Sequence, residues 1–311
     1  MSIEGTPPGL LGVTIGVRSQ QWESAQKRGE NSAQEPGRGH VQQQEASALW
    51  IGGPPGSGKT TVARLIARRR GFRWYNTDAH TWEHRDRAIA AGHRAAIRFE
   101  ELPIEERWSA PPAEKLEMSL HYDRAPMILD DIRALPSTPL TIAEGTSVIP
   151  SVMGAGPRAV WLLPSKEVQQ RRLEERGLRP GVLELYQLLV HEIETEVEKY
   201  GARTLVVDGT RSVEDTVAAV EELFGEALDE APAAMTRHER RQLLRYANRA
   251  LVKQLEGFFS RPWAKAITRR RTLEFQCECG AVDCEEMVEY PVADFPASDD
   301  GSTPWVLAPG H

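Results

Sequence analysis

The chain has 311 residues, 40% of them hydrophobic and 27% charged, and carries a net charge of −7 at neutral pH. That is enough apolar material for a packed α/β domain with a smaller unit beside it. No apolar run approaches the roughly 18 residues of a membrane span. The stretch 10–17 lacks the basic flank and the length of a signal peptide, so a cytoplasmic location is expected. The three cysteines fall between Cys277 and Cys284, too few and too close for a disulfide framework, and point to metal or redox chemistry instead.

Residues 1–45 are rich in Gly, Gln, Glu, Ser and Pro without apolar periodicity and read as a disordered tail. At Ala48 the character changes. Ala48-Leu49-Trp50-Ile51 fits a buried strand and runs directly into Gly52-Gly53-Pro54-Pro55-Gly56-Ser57-Gly58-Lys59-Thr60-Thr61. A helix follows over 60–70 with Val62, Leu65 and Ile66 on one face. Residues 72–77 read as a second strand ending at Asp78, and 79–135 as mostly helical, broken near Pro103 and at Pro111-Pro112. Further strands are expected at 140–143, 159–163 and 205–207, with helices starting near Ser165 and Ser212. This alternation implies a mainly parallel sheet covered on both faces, a three-layer α/β sandwich over 46–230. Residues 231–311 read as a smaller module, a basic helix over 236–259 followed by the cysteine-rich segment. From Thr236 to Leu273 there are eleven Lys or Arg against two Glu, and from Glu274 to His311 nine Asp or Glu and no Lys or Arg. The two stretches are suited to neutralise each other.

Gly53-x4-Gly58-Lys59-Thr60 matches the Walker A pattern. Glycines let successive N–H groups curl inward around a phosphate, where a side chain would obstruct them. The lysine reaches the β and γ oxygens, the Thr60 hydroxyl suits Mg²⁺, and the helix N-terminus adds its positive dipole end. A strand before the loop and an amphipathic helix after it separate this match from a chance glycine-rich turn. Gly53, Pro54, Pro55, Gly56, Ser57, Gly58, Lys59, Thr60 and Thr61 are therefore the expected binding residues for ATP or GTP.

Over residues 49–223 the chain resembles the P-loop kinases of small molecules and nucleotides, such as shikimate, gluconate and adenylate kinases. The resemblance implies a P-loop kinase fold and transfer of the γ-phosphoryl of ATP to an acceptor hydroxyl. Lys59 is then catalytic. Asp78 occupies the place of an acidic residue that activates the acceptor, although a helix cap before Ala79 is the competing role. Leu140-Thr-Ile-Ala-Glu144-Gly145 looks like the family's Walker B strand, which puts Glu144 with Thr60 at Mg²⁺. Met127-Ile-Leu-Asp130-Asp131 is a rival, but its apolar residues are helically spaced. In the helix after Ser165, arginines of the kind this family carries in a lid would clamp the transferring phosphoryl group; Arg171 and Arg176 are the candidates, against a solvated helix face. Asp208-Gly-Thr-Arg-Ser212 resembles the loop bordering the base.

His80 and His84 lie one helical turn apart. They line the acceptor cleft or the surface, or join Asp78 at a metal. Trp74, Trp82 and Trp108 read as core. Cys277-Glu-Cys279-Gly280-Ala-Val-Asp-Cys284 offers three soft ligands, and His311 is the candidate fourth for Zn²⁺, three reduced structural cysteines being the alternative. This Cys-x-Cys-Gly pattern with a distal Pro-Gly-His looks like a segment of uncharacterised bacterial proteins. The expected partners are a nucleotide and a small-molecule acceptor, with no membrane and no nucleic acid. A second function class is an ATPase switch whose basic helix contacts a protein or nucleic acid.

Overall fold

A computed structural model describes residues 48–264, 272–296 and 302–311; the tail expected over 1–45 lies outside the described residues, as does 265–271 of the basic stretch. Five strands, β1 (Ala48–Gly52), β2 (Arg73–Asn76), β3 (Thr141–Glu144), β4 (Ala159–Pro164) and β5 (Thr204–Val207), make one sheet in the order β2-β3-β1-β4-β5. Every neighbouring pair is parallel. Parallel neighbours need long crossovers, and helices supply them. α1 (Lys59–Arg70) joins β1 to β2. A 3-10 turn (Thr77–His80) and the helices α2 (Thr81–Ala90), α3 (Arg94–Glu101), α4 (Ile104–Ser109), α5 (Pro112–Met118) and α6 (His121–Ala134) lead to β3. The short α7 (Pro150–Met153) precedes β4, while α8 (Lys166–Glu174) and α9 (Pro180–Lys199) follow it. After β5 come α10 (Val213–Phe224), α11 (Glu226–Asp229) and α12 (Arg237–Phe259), then the antiparallel hairpin β6 (Thr272–Gln276) and β7 (Met287–Pro291).

Alternate residues of β1 feed opposite faces of the sheet, as the two-residue period of a strand requires. Leu49 and Ile51 pack with Val62, Leu65 and Ile66 of α1 and with Val217 and Val220 of α10. Ala48 and Trp50 pack with Ile128 and Ile132 of α6 and Ile193 and Val197 of α9 on the other face. Trp74 and Trp82 are buried, and Trp108 packs on a satellite core, as expected of them. The chain leaves β1 toward β2 and leaves β4 toward β5. The crevice at the carboxyl ends of these two neighbouring strands is thus a topological switch point, where open α/β sheets bind ligands.

The basic helix is real but packed. A capping box of Thr236 and Glu239 starts α12. Ala247 joins the core shared by α1 and the sheet, and Phe258 meets the Trp82 ring at 5.6 Å. Covering the side of β2 in this way protects an edge strand.

Candidate functional site

The loop between β1 and α1 has Gly53, Gly56 and Gly58 at φ of 137°, 83° and 90°. Such angles favour glycine, and space enforces the choice at Gly53, where a Cβ would lie 2.3 Å from the Leu162 carbonyl oxygen. Gly58 leads into α1 with no side-chain cap, so the helix opens with its first N–H groups unclaimed by a cap. Lys59 is 5% exposed, and its Nζ donates to the Pro54 carbonyl at 3.4 Å, a long contact for a buried ammonium. Burial pushes its pKa below the ordinary lysine value, while the charges of Asp78 and Glu144 pull it back up.

Strand register brings the second acid to this loop. Glu144 stands beside both Ile51 and Asn76, and Gly145 N donates to Ile51 O at 3.2 Å. Thr60 Oγ1 donates to Glu144 Oε2 at 3.1 Å. Glu144 is fully buried, and that burial raises its pKa to about 7 against the opposing pull of Lys59. Asp130 and Asp131, the rival Walker B acids, lie on α6 instead. Ser57 Oγ, Thr77 Oγ1, Asp78 Oδ1, Glu144 Oε1, Thr146 Oγ1 and Ser147 Oγ are buried with no hydrogen-bond partner among the described residues. All six belong to the ends of β1, β2 and β3 or the loops just beyond them. Buried polar atoms normally find partners, and a polar ligand at this end of the sheet would supply what these six lack. The residues present fit a magnesium nucleotide: a glycine cradle and lysine for phosphate, a hydroxyl and a carboxylate together for the cation.

Asp78 is not the cap of the turn that follows β2. That role falls to Asn76, whose Oδ1 accepts from Asp78 N at 2.9 Å, which leaves the Asp78 carboxylate for other work. Beneath it runs a network that sequence reading did not find. Asp131 accepts from Tyr75 Oη at 2.6 Å, His84 Nε2 at 2.7 Å and Arg87 Nη1 at 2.5 Å. His84 Nδ1 accepts from Arg124 Nε at 3.2 Å, and Arg124 Nη2 donates to the Thr77 carbonyl beside Asp78. His84 is therefore a neutral Nε2–H tautomer, and burial lowers its pKa to about 4. Asp131 goes down to about 2, because its hydrogen bonds from His84 and Tyr75 outweigh burial. His80 stacks on Tyr75 at 4.4 Å and meets Glu83 at 3.2 Å. The two histidines do not assemble with Asp78 at a metal: His84 has both nitrogens engaged, and the one metal-suited cluster among the described residues lies elsewhere.

Of the arginines on α8, Arg172 reaches the glycine loop, its Nη1 donating to Gly56 O at 2.7 Å, while Gln169 Nε2 holds Pro55 O at 3.1 Å. Burial, then Arg171 and Arg176, lower the Arg172 pKa. Arg176 is exposed but close enough to act on the charge of Lys59, whereas Arg171 lies toward Gly209. The sequence candidates Arg171 and Arg176 thus flank the residue that makes the contact. The signal for Arg172 was the helix itself: it stands three positions from Gln169 and shares its face. Asp208 turns on itself, its Oδ1 accepting from Thr210 N and Oγ1 at 2.9 and 2.7 Å.

Away from this crevice, Cys277, Cys279, Cys284 and His311 bring four ligand atoms within 4.8 Å of one another, a group suited to a metal ion. The arginines of α12 serve this region. Arg237 and Arg241 donate to Cys279 O at 2.7 and 3.2 Å, Arg240 to Arg68 O at 3.1 Å, and Arg245 pairs with Glu278 at 2.7 Å. Basic and acidic stretches meet in that last pair, and of these four cations Arg245 is buried while Arg237 is exposed.

No protein-family model matches the chain, and no curated protein does. Among the described residues, no helix is long and apolar enough to cross a membrane. Among solved structures, the chain is similar to an unliganded sugar kinase from Janibacter sp. HTCC2649, at 19% identity over 60% of this chain and 98% of that one, with a TM-score of 0.31. A likeness at that level carries no argument about chemistry.

Proposed function

We propose that this chain is an ATP-dependent kinase that moves the γ-phosphoryl group to a hydroxyl of a small molecule. The reading rests on one observation: a glycine loop at the sheet's switch point that ends in a buried lysine with only a long hydrogen bond, next to a Thr60–Glu144 pair. The backbone of 53–61 cradles the β-phosphate of ATP or GTP, and Lys59 meets the β and γ oxygens. Thr60 and Glu144 are the residues that would hold Mg²⁺, which when bound neutralises charge on the phosphates. Arg172 keeps the loop closed from the α8 side, and Arg176 brings a second cation near the γ position. Asp78 takes the proton of the acceptor hydroxyl as its oxygen bonds to phosphorus and the bond to the β-phosphate oxygen breaks. Asn76 and Arg124 hold the turn that presents that carboxylate. Zn²⁺ at the cysteine group is a separate assignment with no step in this transfer.

The acceptor lies over Asp78, Thr146 and Ser147, among hydroxyls and a carboxylate. Purified protein with MgATP and a panel of small hydroxylated metabolites, followed by ADP release and by mass spectrometry of the products, tests the reading. One acceptor gaining a phosphoryl group, with the product lost in Asp78→Asn, is the expected result. ATP binding without transfer to any member of the panel, and with ADP released at the same rate by Asp78→Asn, overturns it.

A further inference from the structure

The cysteine group lies at the opposite end of α1 from the phosphate loop. Cys277 and Cys279 follow β6, Cys284 closes the turn before β7, and His311 comes in from the segment 302–311. His311 Nδ1 is 3.3 Å from Cys277 Sγ and 3.5 Å from Cys284 Sγ. In a zinc tetrahedron with bonds of about 2.3 Å to sulfur and about 2.0 Å to nitrogen, neighbouring donors stand roughly 3.5 to 3.8 Å apart. The two contacts of His311 are near that spacing, and all four donors lie within 4.8 Å of one another. The three sulfurs are buried, and the cysteines form no disulfide. Soft thiolates with one imidazole in a closed set suit Zn²⁺ rather than a hard cation.

The surroundings are those of a metal centre's outer shell. Backbone N–H groups point at sulfur, Ala308 N to Cys277 Sγ at 3.3 Å and Ala281 N to Cys279 Sγ at 3.4 Å. Gly280 turns the chain at φ 75°, where a Cβ would come within 2.7 Å of Arg237 O, so the loop lies flat on α12. Three thiolates, a neutral imidazole and Zn²⁺ sum to one negative charge, and a cation meets it: Arg68 of α1 donates to Cys279 Sγ at 3.4 Å and to Cys277 O at 3.1 Å. The same side of α1 grips the hairpin at two further points, with Arg64 on Met287 Sδ at 3.5 Å and Arg69 on Glu285 at 2.6 Å.

We propose that Cys277, Cys279, Cys284 and His311 hold one Zn²⁺ in a closed structural site, and that this centre staples the hairpin to the back of the phosphate-loop helix through Arg68. The ion takes no part in phosphoryl transfer. Its work is to fix three loops around one point and press that point against α1. Loss of the metal frees the Cys279 sulfur and the Cys277 carbonyl to move, and the Arg68 anchor goes with them.

The test uses the full chain, purified without chelator and without a histidine tag. About one equivalent of zinc is expected, and cobalt exchanged into the site gives the visible bands of tetrahedral Co²⁺ with thiolate-to-cobalt charge transfer. Less than about a tenth of an equivalent after growth in zinc, with all three thiols still titratable, overturns the site. Arg68→Ala, checked for folding by circular dichroism, weakens zinc affinity about 10-fold or more in competition with a chelator, as outer-shell partners do; unchanged affinity overturns the staple. Hydrogen exchange of the α1 amides is expected to speed up when zinc is removed from the wild type, and unaltered protection overturns the staple equally. Neither measurement needs bound nucleotide, so the outcome stands apart from the kinase reading.

Discussion

Replacing Lys59 by Ala separates nucleotide binding from folding. The ammonium is 5% exposed and has one hydrogen bond, at 3.4 Å to Pro54 O. Burial works against its charge, with Asp78 and Glu144 as the nearby compensation. Removing a poorly satisfied buried cation therefore costs the fold little, since much of what is lost was a desolvation penalty. The nucleotide complex loses a charge-assisted hydrogen bond of about 1.5–3 kcal/mol. At about 1.4 kcal/mol per factor of ten, that is a 10- to 100-fold weaker affinity. Isothermal titration with MgATP reads the affinity, and thermal unfolding without ligand reads the fold. The expected pair is a Kd raised by that factor and a melting temperature at or above the wild-type value. Wild-type affinity in Lys59→Ala, or no heat from ATP or GTP with the unaltered chain, refutes the reasoning.

Four further outcomes follow from the packing. Gly53→Ala, with a Cβ 2.3 Å from Leu162 O and φ of 137°, destabilises the loop by at least about 1–3 kcal/mol, seen as a lower denaturation midpoint and weaker MgATP binding together. Arg172→Ala frees Gly56 O and raises the MgATP Kd several-fold in the same titration, whereas Arg171→Ala leaves it unchanged. Arg245 and Glu278 are 1% and 0% exposed, so Arg245→Met alone costs about 3–5 kcal/mol in chemical denaturation, and the double change with Glu278→Leu recovers most of it. Burial holds His84 at about 4 and His121 at about 3, below the ordinary 6.5. Above pH 6.5 neither state takes up protons at these rings. Below it the unfolded chain does and the folded one does not, so stability falls from pH 6.5 toward 4, by about 2 kcal/mol per histidine at pH 5. Glu144, raised to about 7, works in the opposite direction over the same range and is common to wild type and variant, so the comparison is between the two. Between pH 7 and 5 the stability read from chemical denaturation falls by about 2 kcal/mol more in the wild type than in His84→Asn.

The parts of the site that rest on local chemistry were legible. The five strand segments, the glycine loop and the helix starts near Ser165 and Ser212 each carry their signal within ten residues, and the structure has strands, a loop and helix starts there. Two elements escaped although their patterns were present. α9 repeats Val182, Leu185, Tyr186, Leu189 and Ile193 at helical spacing on its buried side, but it follows Gly177, a residue that commonly ends a helix. In the hairpin, Leu273 and Phe275 face Tyr290 and Val288 with a period of two. A period of two over five residues is a weaker local signal than the thiols and charge beside it.

The network beside Asp78 was illegible for a different reason: its residues acquire meaning only across distance. Asp131 looked like a rival metal acid because it follows an apolar run. In the fold that run is the buried stripe of α6, and the carboxylate instead holds Tyr75, 56 positions away, and His84, 47 positions away. Arg124 is two turns nearer the start of the same helix and carries the chain of contacts on to Thr77. No spacing rule links an acid on α6 to a histidine on α2, because the link exists only once β2 and β3 have paired and set the two helices side by side. Such a network is also the part of a site most sensitive to one substitution, since each member holds the next. The glycine loop is a backbone feature, and the sequence around it suffices to describe it. The network beside Asp78 is made by side chains from separate elements, and there chemistry follows topology.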